Sequence, residues 1–411
     1  AKHNLVNLGA KPTGRIKMFV KMECKKYDPN KPNPAARAIQ FADYEYQLEL
    51  ARYIKPFETR FYKFRLEGKV GRTAAKGLNN VQRAKALKAK FESIPGCYAY
   101  GFDASRFDAH VSPEVLQLEH NTYNTCFKDS LLRSLLIKQM VKKCHYKSDT
   151  GFIKYRVTGG RMSGHMNTGC GNTLIMTAML EGLGRLLPPG SRFDFLCDGD
   201  DSVFFSDQDF ELADVSDWFL QCGFVMKMEV KTRVFEEIEF CQGHPVEVST
   251  GNYTMVRDPL KVMDKTLVNP KYRDTKFTPR LLKTIAQAEL CINSGIPVLQ
   301  EYCMALIRAA DNAMSRRGKI DGGLSLSYIE NNYYYKHLLP NDWMLATAST
   351  VQVTARLSFS KAFPSWSVGS QQEMESLLCK KQYEVPGCRY PADGLIVGKW
   401  RLPDFFPEAS C

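Results

Sequence analysis

Two adjacent carboxylates, Asp200 and Asp201, follow Cys197-Asp198-Gly199 between the apolar runs Phe193/Phe195-Leu196 and Val203-Phe204-Phe205. Two β-prone runs joined by so sharp a turn predict a hairpin with negative charge at its tip. Such a donor set suits hard divalent cations, and through them phosphate chemistry. Gly-Asp-Asp is also a common turn, so the tripeptide alone is compatible with a solvated hairpin. Upstream, Tyr98 to Asp108 reads as a strand running into a turn, with Asp103 where the strand ends. Val111-Ser112-Pro113-Glu114 then supplies a staple residue, an N-cap, an N1 proline and a first-turn acid for a helix reaching about Cys126. In a mixed sheet that strand can lie beside the hairpin and gather three carboxylates, an arrangement tolerable only with cations between them. Taken by themselves, Asp103 could be a helix-entry acid and Asp108 a surface charge.

Between these acids lies a glycine-rich stretch, Gly159 to Thr173, holding Gly159, Gly160, Gly164, Gly169 and Gly171 among Ser163, Thr168 and Asn172. It opens a helix predicted from Leu174 to Leu180. Glycines at a loop-to-helix junction let backbone approach a ligand, and the Ser, Thr and Asn side chains offer neutral hydrogen-bonding groups. A flexible loop with an N-cap is the plainer alternative.

Asp103 with Asp108, then Ser163-Gly164 with Thr168 and Asn172, then Gly199-Asp200-Asp201, resemble in order and context palm motifs A, B and C of positive-strand viral RNA-dependent RNA polymerases. Cys170-Gly171-Asn172-Thr173 is intact. The chain is most similar to the plant tombusvirus-like and carmovirus-like (Tombusviridae) replicases, and more distantly to flavivirus-family polymerases, from about Arg15 to about Phe363. The resemblance implies a mixed α+β, right-hand polymerase. Fingers, basic and N-terminally incomplete, would occupy 1–97. A palm of antiparallel sheet with flanking helices would occupy 98–245, with a fingers insertion at about 121–155. A mostly helical thumb and a C-terminal tail would follow over 246–411.

By the same resemblance, Asp103 and Asp200 would bridge two Mg2+ or Mn2+ ions, with Asp201 a secondary ligand. Asp108 and Asn172, aided by Ser163 and Thr168, would recognise the ribose 2′-hydroxyl. A site that hydrogen-bonds a hydroxyl rejects the analogue lacking it, because its own polar groups are left unpaired. Arg37 and Lys21 would contact the NTP triphosphate, with Lys31 a weaker candidate; a guanidinium fork suits phosphate oxygens. Lys21 could instead pair with Glu23. Lys227, with Lys231 as its rival, would donate a proton to the leaving pyrophosphate, and Glu239-Phe240-Cys241-Gln242 would support the growing strand. Partners would be RNA template, nascent strand, NTPs and other viral replicase components. The setting would be host cytoplasm, at membrane-associated complexes reached through segments outside this chain. Family members carry further finger sequence ahead of the basic motif, so the chain resembles a fragment. The competing expectation is a non-catalytic RNA-binding protein that keeps a palm fold.

Charge placement fits nucleic acid. The net charge is +12, and residues 1–100 hold 21 Lys and Arg against 8 Asp and Glu, leaving the rest near neutrality. Phe57, Phe61, Tyr62 and Phe64 interleave with that basic quarter, a pattern suited to polyphosphate and single strands. No apolar run of about 18 residues, signal peptide or internal repeat is present. The 13 cysteines include no Cys-x-x-Cys pair, which argues against structural zinc or a disulfide framework.

The elements around these residues follow from local signals. A strand is expected at Phe19 to Glu23, a helix over Asp209 to Gln221 stopped by Gly223, and a strand over Phe224 to Glu229. Helices are expected from Thr278-Pro279 to Gly295, from Pro297 to about Met314, and from Gln371 to Leu378, with a further likeness to the plant viral thumb at Arg356 to Phe363. Tyr333-Tyr334-Tyr335 is a candidate initiation loop or ordinary core, and the tail after Pro386 has no functional reading.

Overall fold

The computed structural model describes residues 12–21, 37–148, 151–266, 278–315, 329, 335 and 338–380. Lys31, Glu23, Tyr333, Tyr334 and the tail lie outside them. The described residues fall into two compact units: 12–21, 37–258 and 352–367 in one, those of 259–351 and 368–380 in the other. The mixture of sheets and helices agrees with the α+β class expected.

In the first unit the order begins β1 (Ile16–Val20), β2 (Ala38–Ala42), α1 (Tyr44–Phe61), α2 (Asn80–Glu92), β3 (Tyr98–Ala104), α3 (Phe107–His110), α4 (Pro113–Phe127) and α5 (Ser130–Ile137). It continues with β4 (Val141–Ser148), β5 (Gly151–Thr158), α6 (Thr168–Leu186), β6 (Phe193–Asp198), β7 (Asp201–Ser206), α7 (Leu212–Gln221), β8 (Met226–Thr232), β9 (Gly243–Ser249) and β10 (Asn252–Arg257). The second unit is built from α8 (Pro259–Thr266), α9 (Thr278–Asn293), α10 (Leu299–Ser315) and, beyond the first unit's α11 (Val353–Ala362), α12 (Val368–Lys380).

Two four-stranded sheets organise the first unit. One has the order β6-β7-β3-β8, all antiparallel. Its central strands carry apolar residues toward both faces, because both faces are covered. Tyr100, Phe102, Phe195 and Phe204 pack with α4, α6 and α7 through Leu116, Met176, Leu180 and Phe219. The alternate residues Ala99, Leu196, Val203 and Phe205 pack on the other side with Ala84, Leu87 and Phe235. The second sheet, β2-β1-β4-β5, joins β1 to β4 in parallel and is otherwise antiparallel. One face of it, carrying Ile16, Ala42 and Cys144, closes on Leu50, Leu132 and Leu135 of α1 and α5.

Helix starts follow their caps. Ser112 Oγ accepts from Val115 N at 3.3 Å ahead of Pro113, and Asn79 with Gln82 forms a reciprocal capping box for α2. Several boundaries differ from the sequence expectation: β1 spans Ile16–Val20, starting three residues ahead of the predicted Phe19, and α12 starts at Val368 ahead of the predicted Gln371. Helix α6 begins at Thr168, six residues before the predicted start, because buried contacts at Cys170 to Thr173 outweigh the poor helix propensity of Gly169 and Gly171. Helix α7 begins at Leu212, where Glu211 and Asp214 form a capping box. Strand β8 begins at Met226 and runs to Thr232, since Phe224 turns into the core first. In the second unit, α9 and α10 match the predicted helices closely, and Gln300 ties their junction to Ser349 by accepting from Gly295 N and Ser349 N at 2.7 and 2.9 Å.

Candidate active site

The paired acids stand at one end of the doubly covered sheet. Gly199, at φ +77°, makes the turn between β6 and β7, a conformation that favours a residue without Cβ. Asp198 pairs with Asp201 across that turn. Antiparallel register sets Phe102 opposite Ser202, so one step further Asp103 of β3 faces Asp201. On the other side of β3, Asp103 lies directly opposite Lys227 of β8. Lys231, four residues along, pairs with Tyr100 and is held by Asp209 (2.6 Å) and Glu211, so the sheet separates the two rival lysines. Beyond β3 the chain passes Arg106 in the left-handed region (φ 50°), a backbone cost of roughly 1–2 kcal/mol. That turn brings Asp108 back toward α6.

Electrostatics confirm the crowding. Lost hydration pushes the Asp200 carboxyl up even at the exposed turn, and the charges of Asp108 and Asp103 add to the shift. Asp201, half-buried, rises to about 7, first from lost hydration and then from Asp200, Asp198, Asp103 and Glu229. Among the described residues no three acidic, His or Cys side chains form a ready-made ion cage. The acids are therefore close enough to disturb one another without closing around a point.

Asn172, one turn into α6, donates to Asp108 Oδ1 at 2.9 Å and accepts from Arg161 Nε at 3.0 Å. Arg161 is buried and ion-paired with buried Glu119 of α4. Glu119 Oε1 also accepts from Asn167 Nδ2 (2.7 Å) and Tyr123 Oη (2.8 Å), so its buried charge is well satisfied. A Cβ on Gly171 would collide with both Glu119 and Arg161, which explains a glycine inside this helix. Thr173 Oγ1 accepts from Gly199 N at 3.0 Å and so fastens α6 to the acid-bearing turn. Ser163 and Thr168 spend their hydroxyls on the loop: Ser163 Oγ accepts from Gln40 N at 3.3 Å, and Thr168 Oγ1 donates to Met162 O at 2.8 Å. Lys21 and Arg37 stand at the far end of the β1–β2 ladder, joined by Lys21 N donating to Arg37 O at 2.8 Å, with both side chains exposed.

Comparison with known proteins gives this arrangement its family. A family model described as viral RNA-dependent RNA polymerase matches residues 7–380. The chain belongs to the viral RNA-dependent RNA polymerases. The match runs further at both ends than the span inferred from the motifs. Among curated relatives, the RNA-directed RNA polymerase of Oat chlorotic stunt virus is 34% identical over 72% of this chain and 40% of its own length. That of Melon necrotic spot virus is 37% identical over 73% of this chain and 38% of its own, and that of Pothos latent virus 40% identical over 70% and 39%. The chain thus spans about two fifths of the length of these relatives.

Several residues around these acids were not singled out from sequence. Residues 72–78 dock on edge strand β6, with Ala75 N donating to Cys197 O (2.8 Å) and Cys197 N to Thr73 O (2.9 Å). This carries Lys76 onto Asp198, which Arg83 also engages. Asp198 is buried beside the Gly-Asp-Asp turn and ion-paired with two cations, whereas Asp200 and Asp201 form no ion pair among the described residues, the Lys76 charge offsetting only part of the upward push on Asp200. Only the position of Asp198, next to a known pair, could have flagged it. Lys76, Arg83, Glu119 and Arg161 carry no local signal.

Divalent cations, implied by the family, fit this donor set. Asp103, Asp200 and Asp201 are oxygen donors whose mutual repulsion a cation would relieve.

Proposed function

We propose that this chain catalyses RNA-templated transfer of a nucleoside monophosphate from an NTP to an RNA 3′-hydroxyl, in replication of a positive-strand RNA virus genome. The observation that supports this reading is the register that pairs Asp103 with Lys227 on one side of β3 and Phe102 with Ser202, next to Asp201, on the other. Asp103 and Asp200, seconded by Asp201, would hold two Mg2+ or Mn2+ ions. Bound there, such ions supply Lewis-acid activation of the hydroxyl and neutralise the polyphosphate.

The remaining roles belong to the chain's own groups. Lys227, opposite Asp103, is placed to give a proton to departing pyrophosphate. Asp108 and Asn172, fixed to each other and to Arg161, present paired polar groups to a ribose 2′-hydroxyl, with Ser163 and Thr168 shaping the loop. Arg37 and Lys21 offer cationic side chains for the triphosphate. In this reading the fingers are residues 1–97 with the returning 121–155 segment, the palm is 98–245, built on the β6-β7-β3-β8 sheet with its helices, and the thumb and tail are 246–411.

Primer extension with a labelled NTP tests the proposal. Asp200→Asn should reduce incorporation to background while the folded chain still binds RNA. Equal incorporation by wild type and Asp200→Asn would overturn it.

A further inference from the structure

Two cations meet one carboxylate at the foot of the Gly-Asp-Asp turn. Lys76 Nζ is ion-paired with Asp198 Oδ1, and Arg83 Nη2 with Asp198 Oδ2. Either cation alone would balance Asp198, so the three groups together carry one surplus positive charge. They adjoin Asp200 and Asp201, which have no ion pair of their own among the described residues. The segment carrying Lys76 is fixed twice over. Its backbone pairs with β6 through Thr73 and Ala75, and Arg72 spends its guanidinium on it, Nε donating to Ala74 O at 2.6 Å and Nη2 to Lys76 O. From there the lysine side chain runs past the first turn of α6 to the acid turn. A Cβ on Gly169 would lie 3.6 Å from Lys76 Cε, and one on Gly199 would lie 3.9 Å from Nζ. Asp200 feels this charge, which opposes the upward push of lost hydration, Asp108 and Asp103.

We propose, resting on the reading that Asp103, Asp200 and Asp201 hold divalent cations, that Lys76 is a positioning residue acting as their tethered counter-ion. Anchored on Asp198, it offsets the repulsion among the acids until a divalent cation takes that charge over. A lysine suits the task, being a compact point charge on a flexible stem. Arg83, on α2, serves Asp198 itself and keeps that buried carboxylate paired when the charge of Lys76 is drawn elsewhere. A counter-ion and a plain brace differ in sign. A lysine that only braced the turn would help the acids bind a cation, and its loss would weaken binding. A counter-ion repels the incoming cation, so its loss strengthens binding.

The test measures Mn2+ binding to the 411-residue chain by electron paramagnetic resonance at low salt, without RNA or NTP, counting only the binding that Asp200→Asn removes. Lys76→Met should bind Mn2+ about fivefold more tightly than the parent, the size expected of one unit charge near a dication in a wet site. Lys76→Gln, which keeps a donor for Asp198, should shift binding the same way, and Lys76→Arg should match the parent. Asp198→Asn should weaken binding by a similar factor, and Lys76→Met/Asp198→Asn should return to within about twofold of the parent. In thermal melts with EDTA, Lys76→Met should melt below the parent, and saturating Mn2+ should close the gap, because the tighter binder is stabilised more. Unchanged or weaker Mn2+ binding by folded Lys76→Met and Lys76→Gln would overturn the inference, as would failure of both to fold, which would assign Lys76 to stability alone. A parent chain that binds no Mn2+ through Asp200 would sink the inference together with the cation role of the acids. Equal primer extension by wild type and Asp200→Asn, with the Lys76 effect on Mn2+ present, would count against the polymerase reading alone.

Discussion

The two four-stranded sheets of the first unit are built alike and used differently. The β6-β7-β3-β8 sheet is apolar on both faces and gathers acids at one end, beyond the last packed layer. The β2-β1-β4-β5 sheet has a core on one face and cations on the other. Double burial leaves a strand no freedom to slip, because a one-residue shift would move every side chain to the wrong layer. Carboxylates at the end of such a sheet are held where they repel one another. A half-covered sheet fixes its inner residues equally well but can vary its outer ones at little cost to folding.

The contrast breaks first at the core. Phe204→Ala, on a fully buried ring, should destabilise the chain by about 3–5 kcal/mol, whereas Phe152→Ala on the open face should stay within about 0.5 kcal/mol. Urea unfolding compares them, and similar values would mean the second sheet is covered after all. Next, Arg161→Met leaves Glu119 buried and unpaired, with an expected cost of about 3 kcal/mol or somewhat more. It should also loosen Asn172 and raise use of dNTP relative to NTP, and Glu119→Gln/Arg161→Met should recover part of the stability.

A third effect concerns pH. Burial, with Lys142, Arg161 and His120 nearby, pushes His165 down to about 3, and burial lowers His120 too. Both stay neutral when folded but take up protons when unfolded. Their contribution is thus fully present above the ordinary histidine range and is lost as pH falls from about 6.5 toward 3, by up to about 1.4 kcal/mol per pH unit for His165. Thermal melts of His165→Gln between pH 4 and 7 should show a shallower fall than wild type. An unchanged profile would show that His165 titrates normally in the folded chain. Through Tyr46, whose ring centroid lies 6.0 Å from that of His165, this titration belongs to the core between the second sheet and the 163–168 loop.

Much of the site was legible in residue types. Gly199-Asp200-Asp201 between two apolar runs required a hairpin, and Ser112-Pro113 required a helix start, because each signal lies within a few residues. The boundary of α6 was not legible. Residues such as Gly169 and Gly171 argue locally against helix, and the contacts of Gly171 with Glu119 and Arg161 come from segments far away in the chain. The same holds for the choice between Lys227 and Lys231, which have identical side chains in one strand. Only their different partners across β3 and in the Asp209–Glu211 segment tell them apart.

The sequence by itself determined the local matters: the Gly199 hairpin, the helix start at Ser112-Pro113, which acids stand at a turn, and that the N-terminal quarter is basic. Tertiary structure alone decided which charges remain uncompensated. Asp198, Asp200 and Asp201 are chemically identical and lie within four residues. Lys76 and Arg83, more than a hundred residues away in sequence, ion-pair with the first, while Asp200, eased only in part by Lys76, and Asp201 repel each other. Charge pairing depends on distance in space, and only the folded chain sets that distance.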